Sequence, residues 1–247
     1  MNRSDPSYWH LICGASRGIG YAVAESLASR GQNVILVGRD RADLARAKPK
    51  LRELGAKRVA IRTVDLLDAA ARQRLVGSVR SFPLRSVLIG GPSPPAGPLS
   101  IVSAESLDRA YEICLRYPFD VVGALLARPP RTRPSIVMYI SSSAVTVAVA
   151  HPHFYLSGLL RRTTERLLRD LVSSVEGHGC RLIRFRPELV WTSLSERYAK
   201  SKFPDADPSL LRSLLARDLH AKGAPDPNVF LNAALRKAGL NWDEVVA

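Results

Sequence analysis

Cysteine and long apolar runs are both scarce in this sequence. The three cysteines, Cys13, Cys114 and Cys180, are odd in number, lie far apart and form no CxxC pair. The sequence therefore suggests neither a disulfide framework nor a zinc site, and it fits a reducing compartment such as the cytoplasm. The longest apolar run extends from Ala144 to Ala150, far short of the roughly 18 residues that a membrane-spanning helix needs. We expect a soluble cytoplasmic chain with no targeting segment, no membrane association and no metal.

Acidic residues and amide side chains are scarce as well. The 22 Asp and Glu face 36 Lys and Arg, so the formal net charge is +14, and the chain has only two Gln, five Asn and two Met. Either this charge serves polyanion binding, or the surface is arginine-rich and heat-adapted, as the few amides and Met indicate. The arginines are spread along the chain, and no recognition helix, aromatic platform or basic tail stands out. We therefore predict a thermophilic type of surface and no specific nucleic-acid partner.

The length and the apolar pattern predict one α/β domain over residues 1–247. Helix-period segments alternate with short runs rich in β-branched residues, which predict buried parallel strands. The predicted strands are Trp9–Cys13, Asn33–Val37, Arg58–Thr63, Ser86–Ile89, Ser135–Ile140 and Arg181–Phe185. This alternation predicts a Rossmann-like, doubly wound parallel sheet, followed by a helical C-terminal tail.

A glycine-rich turn joins the first predicted strand to the first predicted helix. It reads Cys13-Gly14-Ala15-Ser16-Arg17-Gly18-Ile19-Gly20. Gly14 allows a sharp turn, Gly18 allows a pyrophosphate to come close, and Gly20 lets the helix pack on the sheet. Free N–H groups at the positive helix end would hold the phosphate. Because the turn stands between a strand and a helix, it predicts a dinucleotide site. The candidate contacts are Gly14, Ser16, Arg17, Gly18, Ile19 and Gly20.

The end of the second predicted strand bears on which dinucleotide binds. It reads Val37-Gly38-Arg39, where an NAD-binding site would have an acidic residue for the ribose diol. Gly38 leaves room, and both Arg39 and Arg17 could pair with a 2′-phosphate. The pattern favours NADP(H) over NAD(H); two ordinary surface arginines are the alternative explanation. Asp65, just past the third strand, could accept a hydrogen bond from the adenine amino group.

With this glycine spacing, the chain from about Trp9 to Thr192 resembles the short-chain dehydrogenase/reductase family, and in particular its 3-oxoacyl-[acyl-carrier-protein] reductases. Asp65-Leu66 corresponds to the family's adenine-contact pair, and Gly90-Gly91 stands where the family usually has two asparagines. Pro187–Thr192 resembles the Pro-Gly-x-x-x-Thr segment beside the nicotinamide, with Glu188 in place of glycine. The resemblance implies that a nicotinamide cofactor is contacted by Asp65, Leu66, Gly90, Gly91, Pro187 and Thr192.

The resemblance also implies a catalytic pair. The family uses a tyrosine as general acid/base and a serine that holds the substrate carbonyl; Tyr155 matches the tyrosine, and Ser142, thirteen residues earlier, matches the serine. The family's lysine, four residues after the tyrosine, is replaced by Leu159, and its water-positioning asparagine by Cys114. Arg162 is a candidate substitute for the lysine, although a solvated cation is the simpler interpretation.

Two functions follow from this pattern. The first is an NAD(P)(H)-dependent oxidoreductase that moves a hydride between nicotinamide and a carbonyl/alcohol pair, as a 3-oxoacyl reductase does. The alternative is a catalytically degenerate homologue that binds nucleotide without turnover, which the altered motifs indicate. The retained spacing of Ser142 and Tyr155 favours the enzyme.

Past Thr192 the resemblance fades. Residues 192–220 are placed like the family's substrate lid, where Arg197, Lys200 and Lys202 could meet an anionic substrate; a solvated basic loop is the alternative. The family's closing strand, which often contributes to a tetramer interface, is not recognisable in residues 221–247. We therefore expect a homodimer through the helices around Ala104–Ala127 and Phe154–Val175, with a homotetramer as the alternative.

Overall fold

The computed structural model describes residues 8–94, 100, 102–126, 134–145, 155–174, 179–219, 221 and 223–246, without the side chains of Tyr155 and Leu194. These residues form six strands: β1 Trp9–Cys13, β2 Asn33–Gly38, β3 Val59–Thr63, β4 Leu84–Ile89, β5 Ser135–Ile140 and β6 Cys180–Phe185. All pair in parallel, in the order β3-β2-β1-β4-β5-β6. The predicted strands and the doubly wound sheet are confirmed, with bounds shifted by at most two residues.

Helices cover both faces of this sheet. They are α1 Gly18–Ala28, α2 Arg41–Glu53, α3 Ala69–Val79, α4 Ala104–Tyr111, α5 Tyr117–Leu126, α6 Tyr155–Ser173, α7 Ser193–Lys202, α8 Leu211–Asp218, α9 Pro227–Lys237 and α10 Trp242–Val246. Apolar side chains of α1, α2, α9 and α10 pack on one face. Those of α3, α5 and α6 pack on the other, and α7 and α8 share a small core of their own. None of the described helices combines the length and the apolar character needed to span a bilayer.

The helix predicted around residues 104–127 is interrupted. Between α4 and α5, the segment Glu112–Arg116 forms a π-helical turn, which ends two residues before Pro118. Such turns break the regular helical ladder and are frequent at functional sites. Thr164 of α6 donates its hydroxyl to the carbonyl oxygen of Cys114 in this turn. The turn that carries Cys114 is therefore tied to α6.

The chain after β6 is helical, as the sequence predicts for the C-terminal tail. Residues 193–202 form α7, which a capping box between Thr192 and Ser195 begins. The tail forms α9 and α10, and the buried side chains of Leu231 and Trp242 join the core that α1 covers. Among the described residues no seventh strand pairs with β6, so β6 is an edge strand. Helices that cover the sheet, and not a closing strand, occupy this part of the chain.

Candidate active site

The turn after β1 is closely packed backbone. Gly14 has a φ of 77°, and a Cβ there would lie 2.4 Å from the backbone nitrogen of Gly91. A Cβ at Gly20 would lie 2.2 Å from the carbonyl oxygen of Gly14. The amides of Gly14 and Ala15 both donate to the carbonyl of Val37, at 2.9 and 3.0 Å. A side chain is thus excluded at Gly14 and at Gly20 on steric grounds, as the glycine pattern predicts.

The loop after β4 packs against the same turn and leaves little room for a side chain at Gly90 and Gly91. A Cβ at Gly90 would lie 2.8 Å from the carbonyl oxygen of Cys13. Gly91 has a φ of 115° and contacts Gly14. The hydroxyl of Tyr117, a buried residue of α5, donates to the carbonyl of Gly90 at 2.7 Å. Sequence reasoning missed Tyr117; the signal was a phenol on a buried helix face, which needs a hydrogen-bond partner.

Thr192 lies opposite the glycine turn. Gly18 has a φ of 61°, and a Cβ there would lie 3.4 Å from the methyl group of Thr192. The carbonyl of Pro187 accepts a hydrogen bond from the amide of Ser143 at 2.9 Å. The segment Pro187–Thr192 therefore connects the end of β5 to the glycine turn. The remaining predicted contacts of the turn, Ser16 and Ile19, are half-buried.

Charged residues flank the other side of the turn. Arg17 is the residue before α1, Arg39 follows β2, and both are exposed. The carboxylate of Asp40 caps α2 and accepts from the amides of Asp43 and Ala42. These hydrogen bonds lower the pKa of Asp40, and the charge of Arg17 makes a smaller contribution in the same direction. Two arginines therefore lie at the start of α1 and the end of β2, the places from which the sequence predicts contacts to a 2′-phosphate.

A buried arginine holds the loop that is predicted to contact the adenine. Asp65 accepts from the amide of Leu67 at 3.0 Å, and the side chain of Leu66 packs beside Gly91. Arg72 of α3 is fully buried and donates to the carbonyl of Leu66 at 2.8 Å.

The same guanidinium also neutralises carboxylates of the interrupted helix. Its Nε lies 3.1 Å from Asp120 of α5, and its Nη2 lies 2.8 Å from Glu112 of the π turn. Sequence reasoning missed Arg72, although it stands three residues before Leu75, on the apolar face of its helix. Arg72 thus links the adenine-side loop to the turn that carries Cys114.

The predicted catalytic serine lies at the end of β5. The amide of Ser141 donates to the carbonyl of Phe185 at 2.8 Å, which continues the pairing with β6. Ser142 is half-buried, and its Oγ accepts from the amide of Ala144 at 3.2 Å. Because the strands are parallel, Ser142 and the glycine turn lie at the same edge of the sheet. Tyr155 is the first residue of α6; its side chain lies outside the described part of the structure, so its role stays a prediction.

The face of α6 that meets the sheet does not carry Leu159. Leu159 is 57% exposed, and Arg162 is exposed as well. Arg161 turns inward instead: its Nη1 donates to the carbonyl of Ile140 at 2.7 Å, and its Nε lies 3.4 Å from the Oγ of Ser157. The candidate substitute Arg162 is therefore a surface residue, and Arg161 is the cation that reaches the end of β5. The signal for Arg161 was its place in the buried stripe of α6.

Burial keeps the thiols and phenols of this region protonated. Burial raises the pKa of the Cys114 thiol and of the Tyr139 phenol, and in each case the charge of Arg161 opposes the rise. Burial likewise raises the pKa of Cys13 to about 12 and that of Tyr117 well above its usual range. Cys114 is therefore a small buried side chain and not a reactive thiolate.

The profile of one protein family, described as short chain dehydrogenase, matches residues 9–202. This chain belongs to the short-chain dehydrogenase family. The match extends from β1 to α7, so it covers the glycine turn, the end of β5 and Pro187–Thr192. The resemblance that rests on glycine spacing and on the later motifs is confirmed.

Individual relatives agree with this assignment. Human L-xylulose reductase is 29% identical over 191 residues, which make up 75% of this chain and 73% of the relative. L-sorbose reductase from Gluconobacter frateurii, solved with NADPH and L-sorbose, matches with a TM-score of 0.81 at 20% identity, over 94% of this chain and 90% of that one. A 3-oxoacyl (acyl-carrier-protein) reductase from Agrobacterium tumefaciens with NADP bound matches with a TM-score of 0.77 at 23% identity, over 92% and 85%. At these identities the two structures establish a shared fold.

As a short-chain dehydrogenase, the chain is an oxidoreductase of a family that uses a nicotinamide dinucleotide. The glycine turn fits this cofactor, because it stands between β1 and α1, where the free N–H groups at the helix start can hold a pyrophosphate. Nothing in the comparisons favours the alternative of a homologue that binds nucleotide without turnover.

Proposed function

We propose that this short-chain dehydrogenase is an NADP(H)-dependent oxidoreductase that interconverts a small-molecule carbonyl and the corresponding alcohol. The observation that carries the proposal is the common edge of the sheet at which the glycine turn and Ser142 lie, joined by Pro187–Thr192. When bound, the nicotinamide supplies or accepts the hydride. The chain itself holds the carbonyl oxygen through the Ser142 hydroxyl and exchanges a proton through Tyr155.

A cofactor panel followed by a carbonyl panel tests this function. NADPH should raise the melting temperature, and turnover should appear with a panel that includes ketoses and 3-oxoacyl thioesters, the substrate types in the names of its relatives. The variants Ser142→Ala and Tyr155→Phe should each lower kcat about 100-fold or more. A melting temperature that no nicotinamide nucleotide changes would contradict the proposal, and full activity of Tyr155→Phe would remove that residue from it.

The preference for NADP(H) rests on Arg17 and Arg39. A hydrogen bond between a charged donor and a phosphate is worth about 1.5–3 kcal/mol, so Arg39→Ala should weaken NADPH binding about tenfold or more. Binding of NADH, which lacks the 2′-phosphate, should not change. Arg41→Ala is the matched control, because Arg41 is exposed two residues further along the chain. Equal losses for the two nucleotides would contradict the preference.

An anionic substrate is a finer proposal that rests on one cation of α7. Lys200 and Lys202 each form an ion pair at 2.6 Å, with Glu196 and Asp218 respectively. Arg197 is exposed on the same helix. Arg197→Ala should therefore raise KM for an acidic substrate and leave KM for a neutral one unchanged.

We also propose a homodimer through α4 and α5. These helices carry three large exposed apolar side chains: Leu107 at 48%, Tyr111 at 48% and Phe119 at 49% exposure. Such side chains on neighbouring segments suit an interface with a second copy. Light scattering should find a dimer that Phe119→Arg converts to a monomer, whereas Leu54→Arg, a change at an exposed leucine after α2, should not. A monomeric wild-type chain would contradict the proposal.

A further inference from the structure

The reacting end of the site has a cation, although not at the position where the family has its lysine. Arg161 of α6 is half-buried, and its Nη1 lies 2.7 Å from the carbonyl oxygen of Ile140 and 3.5 Å from that of Ser141. Its Nε lies 3.4 Å from the Oγ of Ser157, one helical turn earlier. These contacts hold the guanidinium against the two residues that precede Ser142.

Charge balance separates Arg161 from other arginines nearby. Arg166 pairs with Asp170 at 2.8 Å, and Arg186 pairs with Glu165. In the described ranges no carboxylate forms an ion pair with Arg161, and its hydrogen-bond partners are neutral oxygens. A partly buried charge without a counter-charge keeps its field, since neither water nor a carboxylate cancels it fully. The Glu165 carboxylate also lies close to Ser141, but it is paired with Arg186 and Arg184, so the guanidinium of Arg161 keeps its positive charge at the end of β5.

We propose that Arg161 supplies the positive charge of the reacting end and acts as the positioning residue for Ser142. Its hydrogen bonds fix the last carbonyls of β5, so that the turn after them presents the Ser142 hydroxyl in one place. Its charge favours the negative charge that develops on a carbonyl oxygen held by that hydroxyl. This inference rests on the proposed function, and it assigns to Arg161 the cationic role that Leu159 cannot perform.

The positioning role is testable without turnover. The variants are Arg161→Met and Arg161→Lys, with Arg162→Met as the control because it removes the same charge from the exposed neighbour. Arg161→Met should lose about 1.4 kcal/mol of local stability, which corresponds to a factor of ten. Hydrogen exchange at the amides of Ser141–Val145 should therefore become about tenfold faster. The amides of Gly14 and Ala15 should keep their rates. Arg161→Lys retains a donor, so its exchange rates should lie between those of the wild type and those of Arg161→Met. Unchanged exchange in Arg161→Met would overturn the positioning role.

The electrostatic role is tested by separating kcat from cofactor binding. At saturating NADPH, Arg161→Met should lower kcat about 100-fold, the usual cost of removing one stabilising donor. The Kd for NADPH should stay within about twofold, because the glycine turn that the nucleotide would contact is built of backbone. Added guanidinium ion should raise the kcat of Arg161→Ala about tenfold, because this variant leaves a cavity that the ion can fill. Arg162→Met should keep kcat. An equal loss in Arg162→Met, or a loss in Arg161→Ala that guanidinium does not reverse, would overturn the electrostatic role.

The hydrogen-exchange experiment and the kinetic experiment together distinguish a failure of this inference from a failure of the proposed function. If the wild-type chain turns over no carbonyl or alcohol, the proposed function fails, and the exchange rates still decide whether Arg161 positions the turn. If the wild type is active and Arg161→Met keeps its kcat, the inference fails while the proposed function stands.

Discussion

The two halves of the candidate site are built differently. The nucleotide half, comprising Gly14–Gly20 and Gly90–Gly91, is backbone packed on backbone, with no room for a Cβ at Gly14, Gly20 or Gly90. The reacting half, comprising Ser141–Val145 and Arg161, is held by side chains and by the ends of strands. The first half keeps the family's glycine spacing, although Gly90-Gly91 replaces two asparagines, whereas at the reacting end Leu159 and Cys114 replace the family's lysine and its water-positioning asparagine. A backbone contact restricts both partners at once, while a side-chain role can pass to a neighbouring position on a helix.

Gly14→Ala is the change that should damage the nucleotide half most. The new Cβ would lie 2.4 Å from the nitrogen of Gly91, at a φ of 77° that alanine rarely adopts. Neither loop can yield without moving a strand end. We expect the variant to lose NADPH binding and to melt at a markedly lower temperature, measured by thermal shift with and without NADPH.

Gly77→Ala is the matched control for this prediction. Gly77 lies in α3, and a Cβ there would meet nothing within 4 Å. Alanine should stabilise the helix by up to about 1 kcal/mol. If both variants bind NADPH like the wild type, the nucleotide half does not depend on its packed backbone.

Arg72→Met tests the link between the halves. Removing the guanidinium leaves the carboxylate of Asp120, which is 8% exposed, without its buried cation. Losing one member of a buried pair costs about 3–5 kcal/mol, so chemical denaturation should show a loss of that size. Arg74→Met, at an exposed position of the same helix, should cost less than about 0.5 kcal/mol. A similar small loss at Arg72 would show that the pair adds nothing to folding.

Acid should weaken the strand that carries the glycine turn. His10 of β1 bonds to Ser86 at 2.7 Å, and burial lowers its pKa from the ordinary 6.5 to about 4. Below pH 6.5 the unfolded chain takes up this proton while the folded chain resists, so stability falls with pH down to about 4, by about 3 kcal/mol in all. In His10→Gln this dependence should disappear, and the stability difference from the wild type should shrink between those pH values. A difference that does not change with pH would contradict the assignment.

Tyr117→Phe should have the smallest effect. It removes the 2.7 Å hydrogen bond to the carbonyl of Gly90 and leaves that acceptor without this donor, a cost of about 1–3 kcal/mol. Denaturation should show this loss, and isothermal titration should show weaker NADPH binding because Gly90–Gly91 is less firmly held. Tyr111→Phe changes an exposed tyrosine of α4 and serves as the control. Unaltered NADPH binding in Tyr117→Phe would mean that the loop needs no support from α5.

Most of the fold could be predicted from the sequence, because strands and helices here follow local patterns. Buried runs such as Asn33–Gly38 fix the strands, and Asp40 and Asp68 mark helix starts whose amides they cap. The π turn at Glu112–Arg116 could not be predicted, since its hydrogen bond from Thr164 joins residues far apart in sequence. The packing of the tail on the core that α1 covers could not be predicted either, because it also joins residues far apart in sequence.

The candidate site shows the same difference between what local sequence patterns predict and what long-range packing decides. The glycine turn follows from steric rules that act within a few residues, and Gly14 and Gly20 confirm them. Which arginine of α6 faces inward depends on how that helix packs, and this favours Arg161 over Arg162. Arg72 is one of the arginines dispersed along the sequence, yet the structure buries it. The heat-adapted surface and the cytoplasmic location stay predictions.

The cysteines named at the outset have a practical consequence for labelling. Burial raises the pKa of Cys13 to about 12 and that of Cys180 to about 11, and it raises the pKa of Cys114 as well. At neutral pH all three thiols stay protonated, and a maleimide reacts with the thiolate. The native thiols should therefore react with a maleimide more slowly than a single added exposed thiol. Leu159→Cys, at an exposed position of α6, would carry one dye on the helix that holds Arg161 and report its motion by fluorescence.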